Sequence, residues 1–461
     1  MDALLQDLRF AWRTLAKSPG FTLGVVLTLA LGIGANVAMF SVVDRMLFRP
    51  PPLLHDPAAT HRVYLAETYR GKEQASGSLQ YARYVDLTSW TTSFSRTAAF
   101  TEEDLAIGVG AEAREMRVGI VSASFFGFFD APPVLGRYFT AAEDTPPNGT
   151  PVAVLAFAFW QTRYGGRNDV LGSTLQIGPT VYTIVGVAPE GFFGLWPTQR
   201  PMAFIPVSCH ASAWAAMRLR NESWWSTYQW TWMSMLVQRK PGVSLAAATA
   251  DLTNALLTSY TAQLATSPGM TPLALARPRG IVASVLSERG PKESSFAKVA
   301  TWISGVALIV LLIACANVAN LLLARALRRR REIAIRLALG VSRARLLSQL
   351  FAESVILALL GGVAGLLVAE WGGAVLRGQF LARSSQVSVL GDARTLLFGG
   401  AAALVAGLLT ALAPALQTRR ADFAGDLKAG AREGTFQRSR ARLALLVLQG
   451  ALCVVLLVGA G

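Results

Sequence analysis

Apolar and charged positions divide this chain into long stretches of two kinds. Phe21–Val43 is almost free of charge, and a long mixed segment of polar and apolar residues follows it. Three further apolar runs then crowd into Ala300–Ala324, Leu350–Trp371 and Leu396–Leu416, and a fifth starts at Leu443 and continues to Gly461. Each run reaches the ~18–20 residues that a helix needs to cross about 30 Å of hydrocarbon. The pattern predicts a membrane α-helical bundle of four spans plus a fifth at the C-terminus. A large α+β domain is inserted between spans one and two.

Shorter patterns refine this picture. Before the first run, Leu4, Leu8, Phe10 or Ala11 and Leu15 alternate at helical spacing with Asp7, Arg9, Arg13 and Lys17. That reads as an amphipathic helix on the inner membrane surface, separated from the first span by Ser18-Pro19-Gly20. A cleaved signal is a poor fit, because Phe21–Val43 exceeds the ~7–15-residue apolar core of such signals. Inside the spans, small residues recur four apart: Ala30, Gly34 and Ala38 in the first, Gly361, Gly365 and Ala369 in the third, Gly407, Ala411 and Ala415 in the fourth. Such rows let helix backbones approach closely in lipid, which favours ordinary helix packing over a dedicated dimer face. Asn317 and Asn320 share a face of span two and are expected to bond to a neighbouring helix. Glu353 and Glu370 sit towards the ends of span three, and no ionisable group marks a midplane ion path, which argues against a secondary transporter or a channel.

In the inserted segment, Pro50-Pro51-Pro52 gives a stiff exit from the first span. TLQIGPTVYTIVGVA predicts two alternating strands joined across Gly178-Pro179. TWMSMLVQRKPGVSLAAATADLTNALL predicts a strand, a Pro-Gly turn and a helix beginning near Ser244. The mixture suggests two lobes. Trp224, Trp225, Tyr228, Trp230 and Trp232 could form an apolar substrate surface or touch the outer leaflet. Strand spacing on Tyr228, Trp230 and Trp232 favours buried core over both.

The charge distribution sets the orientation. The formal net charge of +15 would suggest nucleic acid in a soluble protein. Here the Arg328–Arg331 run abuts a membrane exit, where positive charge is expected without any nucleic-acid partner. Arg9, Arg13 and Lys17 precede span one, while Arg325, Arg328, Arg336 and Arg343 belong to the span two–three link and Arg419, Arg420, Lys428 and Arg432 to the span four–five link. Cytoplasmic loops collect Lys and Arg, so the N-terminus is expected inside and the large domain outside. The expected divisions are a cytoplasmic amphipathic helix at 1–20, span one at 21–45, the outer domain at 46–298, spans two to four with their link at 299–420, a cytoplasmic linker at 421–442 and span five at 443–461.

Candidate chemistry is sparse. His55, His61 and His210 lack metal-ligand spacing with Cys209, Cys315 and Cys453, and a single cysteine in the outer domain leaves it no internal disulfide. The Gly71-Lys72 pair is followed by Glu73, so no phosphate-cradling Gly-Lys-Ser/Thr loop is readable. No catalytic, cofactor or metal residue is expected. The link RREIAIRLALGVSRARLLSQL is strongly patterned. Ile333 and Leu337 share a helical face, Glu332 and Arg336 project elsewhere, Gly340 is placed as a helix stop and Ser342 as the next N-cap. Periodicity leaves two readings open, a docking element or a passive surface helix.

These residues resemble a known family. SPGFTLGVVLTLALGIGANVAMFSVVD is similar to the first span of MacB/FtsX-type ABC transporter permeases. PVLGRYFTAAED, PVAVLAFAFWQTRYGG and VYTIVGVAPEGFFG resemble the MacB-type periplasmic core domain, and REIAIRLALGVSRARLLSQLFAESV the link of the FtsX-like permease domain. The branch of duplicated orphan permeases is nearest in pattern, since SRARLALLVLQGALCVVLLVGAG resembles the opening span of a second half. The chain then reads as one half plus the first span of another. The resemblance implies a non-catalytic permease subunit of the bacterial inner membrane. It would transmit ATP-driven motion of a separate ATPase to a periplasmic domain, for efflux or extraction of a hydrophobic or peptide-like substrate. The alternative it implies is a signalling or scaffold protein that activates an outer partner enzyme. It further implies a second permease half or homodimer partner and a periplasmic adaptor, with ATP held by the ATPase subunit and not by this chain. The coupling helix that docks on that ATPase is carried over onto Arg331, Glu332, Ile333, Arg336, Leu337 and Gly340.

Overall fold

The computed structural model describes residues 2–110, 113–195, 200–218, 223–267, 269–285, 295–328, 335, 342–380, 388–420 and 440–460. The chain divides into two units, one of Met1–Arg45 with Lys298–Gly461 and the other of Met46–Ala297. The first opens with helices α1 (Asp2–Ala16) and α2 (Pro19–Val43), which are broken apart at Lys17-Ser18. Pro19 takes the first helical position of α2, where its missing N–H costs nothing.

The inserted unit is built on eleven strands in one sheet. They are β1 (Thr60–Tyr69), β2 (Lys72–Ser76), β3 (Phe94–Ile107), β4 (Arg114–Val121), β5 (Leu135–Gly136), β6 (Val152–Leu155), β7 (Thr174–Ile177), β8 (Thr180–Val187), β9 (Ala203–Pro206), β10 (Ser234–Arg239) and β11 (Arg279–Ser284). Their spatial order is β11-β1-β10-β3-β4-β9-β6-β8-β5, with β2 on β1 and β7 touching both β3 and β8. Pairs β4–β9 and β6–β8 are parallel, whereas β3 and β4 run antiparallel from Phe100↔Val121 to Ile107↔Arg114. The short strands VAVL and AFIP are buried at every position, as strands covered on both faces must be. Gly178 has φ +56° in the two-residue turn that closes β7 on β8, a conformation L side chains rarely adopt. The helices are α3 (Tyr81–Trp90), α4 (Phe157–Tyr164), α5 (Val207–Arg218), α6 (Leu245–Thr266) and α7 (Leu273–Ala276). Ala248, Leu252, Ala255, Leu256, Ser259, Tyr260 and Gln263 form the buried stripe of α6, at the three-and-four spacing of an amphipathic helix. Two large apolar clusters fill the unit, the second dominated by Phe125, Phe126, Phe128, Phe129, Phe139, Phe192 and Phe204, and a third, smaller one gathers Ala211, Ala215 and Trp224. Where the sequence suggests two lobes, the described residues instead form one compact unit around one continuous sheet.

The first unit continues with α8 (Ser295–Arg328), α9 (Arg343–Phe380), α10 (Ala393–Arg420) and α11 (Arg440–Ala460). Among the described residues, four segments are long and apolar enough to cross a membrane: Pro19–Val43, Thr301–Arg325, Phe351–Gly373 and Ala393–Ala411. Helix α9 lies against both α2 and α10, α2 also meets α10, and α1 rests on α9. On α1, Ala11 and Leu15 are buried while Phe10 and Trp12 remain exposed. Ala11 thus lies on the face of α1 packed against the protein, and Phe10 lies off it.

Candidate functional site

Helices α2 and α9 cross where both present small residues. A Cβ added to Gly34 would stand 2.8 Å from the Gly365 carbonyl oxygen and 3.0 Å from Val368. One on Gly361 would stand 2.5 Å from Leu29 Cβ, and one on Gly365 would be 3.2 Å from the Ala30 oxygen and the Gly34 nitrogen. Backbone thus lies on backbone, with Ala30, Ala38 and Ala369 buried in the same unit. Farther along, a Cβ at Gly407 would meet Ala358 Cβ at 2.9 Å, fixing α10 against α9.

Polar contacts pin the remaining helices. Nδ2 of Asn36 donates to its own helix at Gly32 O (2.8 Å) and across to Ala307 O on α8 (2.7 Å). The sequence reading gave that interhelical role to Asn317 and Asn320. Among the described residues the structure shows that role at Asn36, whose amide reaches the Ala307 carbonyl within α8, while Asn320 Oδ1 is buried without a hydrogen-bond partner. At the end of α1, Arg325 donates to Thr14 O (3.2 Å) and Ser18 Oγ (2.7 Å), with its guanidinium 4.4 Å from the Phe21 ring centre. A cation at a helix C-terminus also meets the negative end of its dipole. Oε2 of Glu370 accepts from Val389 N at 2.6 Å and Ser388 Oγ at 3.1 Å, closing the turn that leads into α10.

The link residues Arg331, Glu332, Ile333, Arg336, Leu337 and Gly340 lie outside the described residues. Within the link, Ile335 is helical and more than half exposed. Oγ of Ser342 accepts from Arg345 N at 3.3 Å at the start of α9.

In the inserted unit, no group of three or more His, Cys, Asp or Glu among the described residues could hold a metal ion. His55 pairs with Asp130 at 2.8 Å on the surface, His210 faces Glu103 at 3.4 Å, and burial pushes the His61 imidazole below its usual value. All three cysteines are free thiols. The aromatic group departs from expectation. Residues 227–232 are irregular and β10 begins only at Ser234, so the strand alternation assigned to Tyr228, Trp230 and Trp232 does not exist. Only Trp224 is fully buried. Trp230 stacks between Trp214 (4.4 Å) and Trp232 (4.7 Å) in a half-exposed column. One site had no signature in the sequence. A cleft of about 320 Å3 opens between β1, β2, α3 and α6, with Arg83 in its wall. Burial pushes the Arg83 guanidinium below its usual value, against the pull of Tyr228, Asp86 and Glu67. Its residues are scattered from Leu65 to Pro278, so no local motif announces it.

Four membrane-crossing helices with an α/β domain inserted between the first and second define a multi-pass membrane protein with one large domain on one side. The model of the MacB-like periplasmic core domain matches residues 22–255, just over half of the chain, and that of the FtsX-like permease C-terminal region matches residues 304–423. The chain belongs to the family of MacB/FtsX-type ABC transporter permeases, and its large domain is extracytoplasmic. Among similar proteins, the pyoverdine export ATP-binding/permease protein PvdT of Pseudomonas syringae pv. tomato is 26% identical over 66% of this chain and 42% of its own length. The macrolide export ATP-binding/permease protein MacB of Escherichia coli K12 is 24% identical over 78% of this chain and 51% of its own. The chain thus spans about half the length of these relatives. The periplasmic region of MacB from Actinobacillus actinomycetemcomitans aligns with 50% of this chain and 97% of its own, at 14% identity and a TM-score of 0.33.

Proposed function

We propose that this chain is a non-catalytic permease subunit that carries the motion of a partner ABC ATPase from the 325–349 link, through its spans, to the domain at 46–298. The backbone contact of Gly34 with Gly365 carries this reading. Helix α9 opens at Arg343, directly after the link, and α2 closes at Val43, directly before the inserted domain. The backbones meet directly at Gly34 and Gly365, with Leu29 and Val368 packed tightly alongside, so a shift of α9 is passed to α2. The N-terminus and both basic links face the cytoplasm of a bacterial inner membrane, by their charge. The coupling helix is Arg331, Glu332, Ile333, Arg336, Leu337 and Gly340, and a second permease half or a second copy completes the assembly. The names of the relatives, pyoverdine export and macrolide export, favour export over activation of an outer enzyme.

The test is reconstitution with ABC ATPases encoded in the same genome. The chain alone should show no nucleotide turnover, and one ATPase should co-purify with it and acquire turnover that depends on it. Cysteines introduced by Ser78→Cys and Ser439→Cys, in a background without Cys209, Cys315 and Cys453, read the topology. Labelling of position 439, but not 78, by an impermeant reagent in intact cells would contradict the orientation.

A further inference from the structure

The cleft around Arg83 has a use that force transmission leaves unassigned. Its volume of about 320 Å3 falls at the lower end of the range for small-ligand sites, ~300–1,000 Å3. Arg83, on α3, is only 3% exposed. A guanidinium that deep normally meets a carboxylate, because an unpaired buried charge is costly. Here one terminal nitrogen donates to Oε1 of Gln263 and the other, Nη1, has no hydrogen-bond partner. The acid on the same helix, Asp86, is already engaged, since its Oδ2 accepts from the hydroxyls of Tyr228 and Ser259, each at 2.5 Å. The rings of Tyr228 and Tyr260 lie 5.2 and 5.9 Å from the guanidinium and hold it in place. Around this cation the cleft has an apolar wall of Leu65, Leu256 and Met270, and an exposed acid, Glu67, on β1.

We propose that this cleft binds a small zwitterionic carboxylate, either an amino acid or the C-terminal end of a short peptide. The carboxylate takes both terminal nitrogens of Arg83 in a two-pronged pair, the geometry that guanidinium and carboxylate share. Gln263, whose oxygen now holds one terminal nitrogen, swings aside to uncover the buried guanidinium, and its NH2 then donates to the incoming carboxylate. The ligand's ammonium faces Glu67, and its side chain lies along Leu65, Leu256 and Met270. The site is separate from the reading of the chain as a permease subunit and does not depend on it.

Titration calorimetry on the full chain in detergent tests this with four probes: L-leucine, the tripeptide Ala-Ala-Leu, its C-terminal amide and its N-acetyl form. The free-acid tripeptide or leucine should bind, and whichever binds more tightly identifies the source of the carboxylate. Amidation should weaken binding about tenfold or more, as loss of hydrogen bonds to a charged group does. N-acetylation should weaken it less, and Glu67→Gln should erase the difference between the free and acetylated amines. Arg83→Gln should abolish binding, and Gln263→Glu gives the same result without a hole in the core, because the new carboxylate occupies Arg83 from within. Gln263→Glu should therefore melt no lower than the parent yet fail to bind. Equal affinity for acid and amide, no binding of any probe, or undiminished binding by Gln263→Glu would each overturn the proposal.

Discussion

At residue scale, Ser244 Oγ accepts from the Ala247 amide at 3.1 Å and closes the first turn of α6. Removing such a cap costs ~1 kcal/mol. Ser244→Ala should lower the melting temperature of the full chain, followed by tryptophan fluorescence, and Ser244→Asp should restore it. Glu143 gives a pH-dependent counterpart. Its hydrogen bond with Arg137 (2.8 Å) holds the carboxyl down at about 2, assisted by the Thr140 backbone and hydroxyl. A lowered carboxylate stabilises the fold above its unfolded value of about 4.3, and that contribution disappears as pH falls towards about 2. Arg137 is half exposed, so water screens the pair and the effect is modest. Arg137→Gln should thus be less stable than the parent at pH 7, with the gap closing between about pH 4.5 and 2. The neighbouring Asp144 is pushed up by burial and acts in the opposite sense, but both proteins carry it, so the comparison isolates Glu143. A gap that persists at low pH would mean that Arg137 contributes packing rather than charge.

At element scale, the α2–α9 crossing makes a sharp prediction. Gly34→Leu sets a Cβ 2.8 Å from a carbonyl oxygen that cannot move without its helix, and overpacking of this kind costs ~1–3 kcal/mol or more. The variant should leave detergent solution largely aggregated, whereas Gly400→Ala, with nothing within 4 Å of its added Cβ, should behave as the parent in size-exclusion chromatography. Equal behaviour of the two would show that the crossing tolerates separation. The same elements show what was legible beforehand. The spans were plain because hydrocarbon demands unbroken apolar length. The β7–β8 hairpin and the start of α6 were plain because turn and cap chemistry is local. The rows of small residues could be seen, but not which row faces which, since that depends on how whole helices rotate. For the same reason the interhelical bond seen among the described residues, from Asn36 to the Ala307 carbonyl, was not the one expected at Asn317 and Asn320. The tryptophan column was misread because its stacking partner, Trp214, comes from α5, outside the local run. The Arg83 cleft escaped because four separate elements contribute to it and none carries a signature alone.

At the scale of the whole molecule, the proposed function turns on where a partner would act. The link between α8 and α9 is short, basic and attached at both ends to membrane-crossing helices, so on that proposal a partner that grips it would displace α9 directly. In the proposed coupling helix, Ile333 and Leu337 are the apolar anchors, and Glu332 and Arg336 set orientation at the rim. Buried central anchors each contribute ~2 kcal/mol or more to an interface, whereas rim charges chiefly tune encounter and register. The double variant Ile333→Ala/Leu337→Ala should therefore insert and fold like the parent yet lose ATPase association in co-purification. Arg336→Glu should give a milder defect that changes with salt, because exposed charges are screened beyond ~8–10 Å at ordinary ionic strength. A variant broken at Gly34 would show the converse, keeping the ATPase bound to any protein that folds but uncoupling turnover from the outer domain. Full ATPase binding by a well-inserted Ile333→Ala/Leu337→Ala protein would place the docking surface elsewhere, and the link would then be a passive helix on the membrane surface.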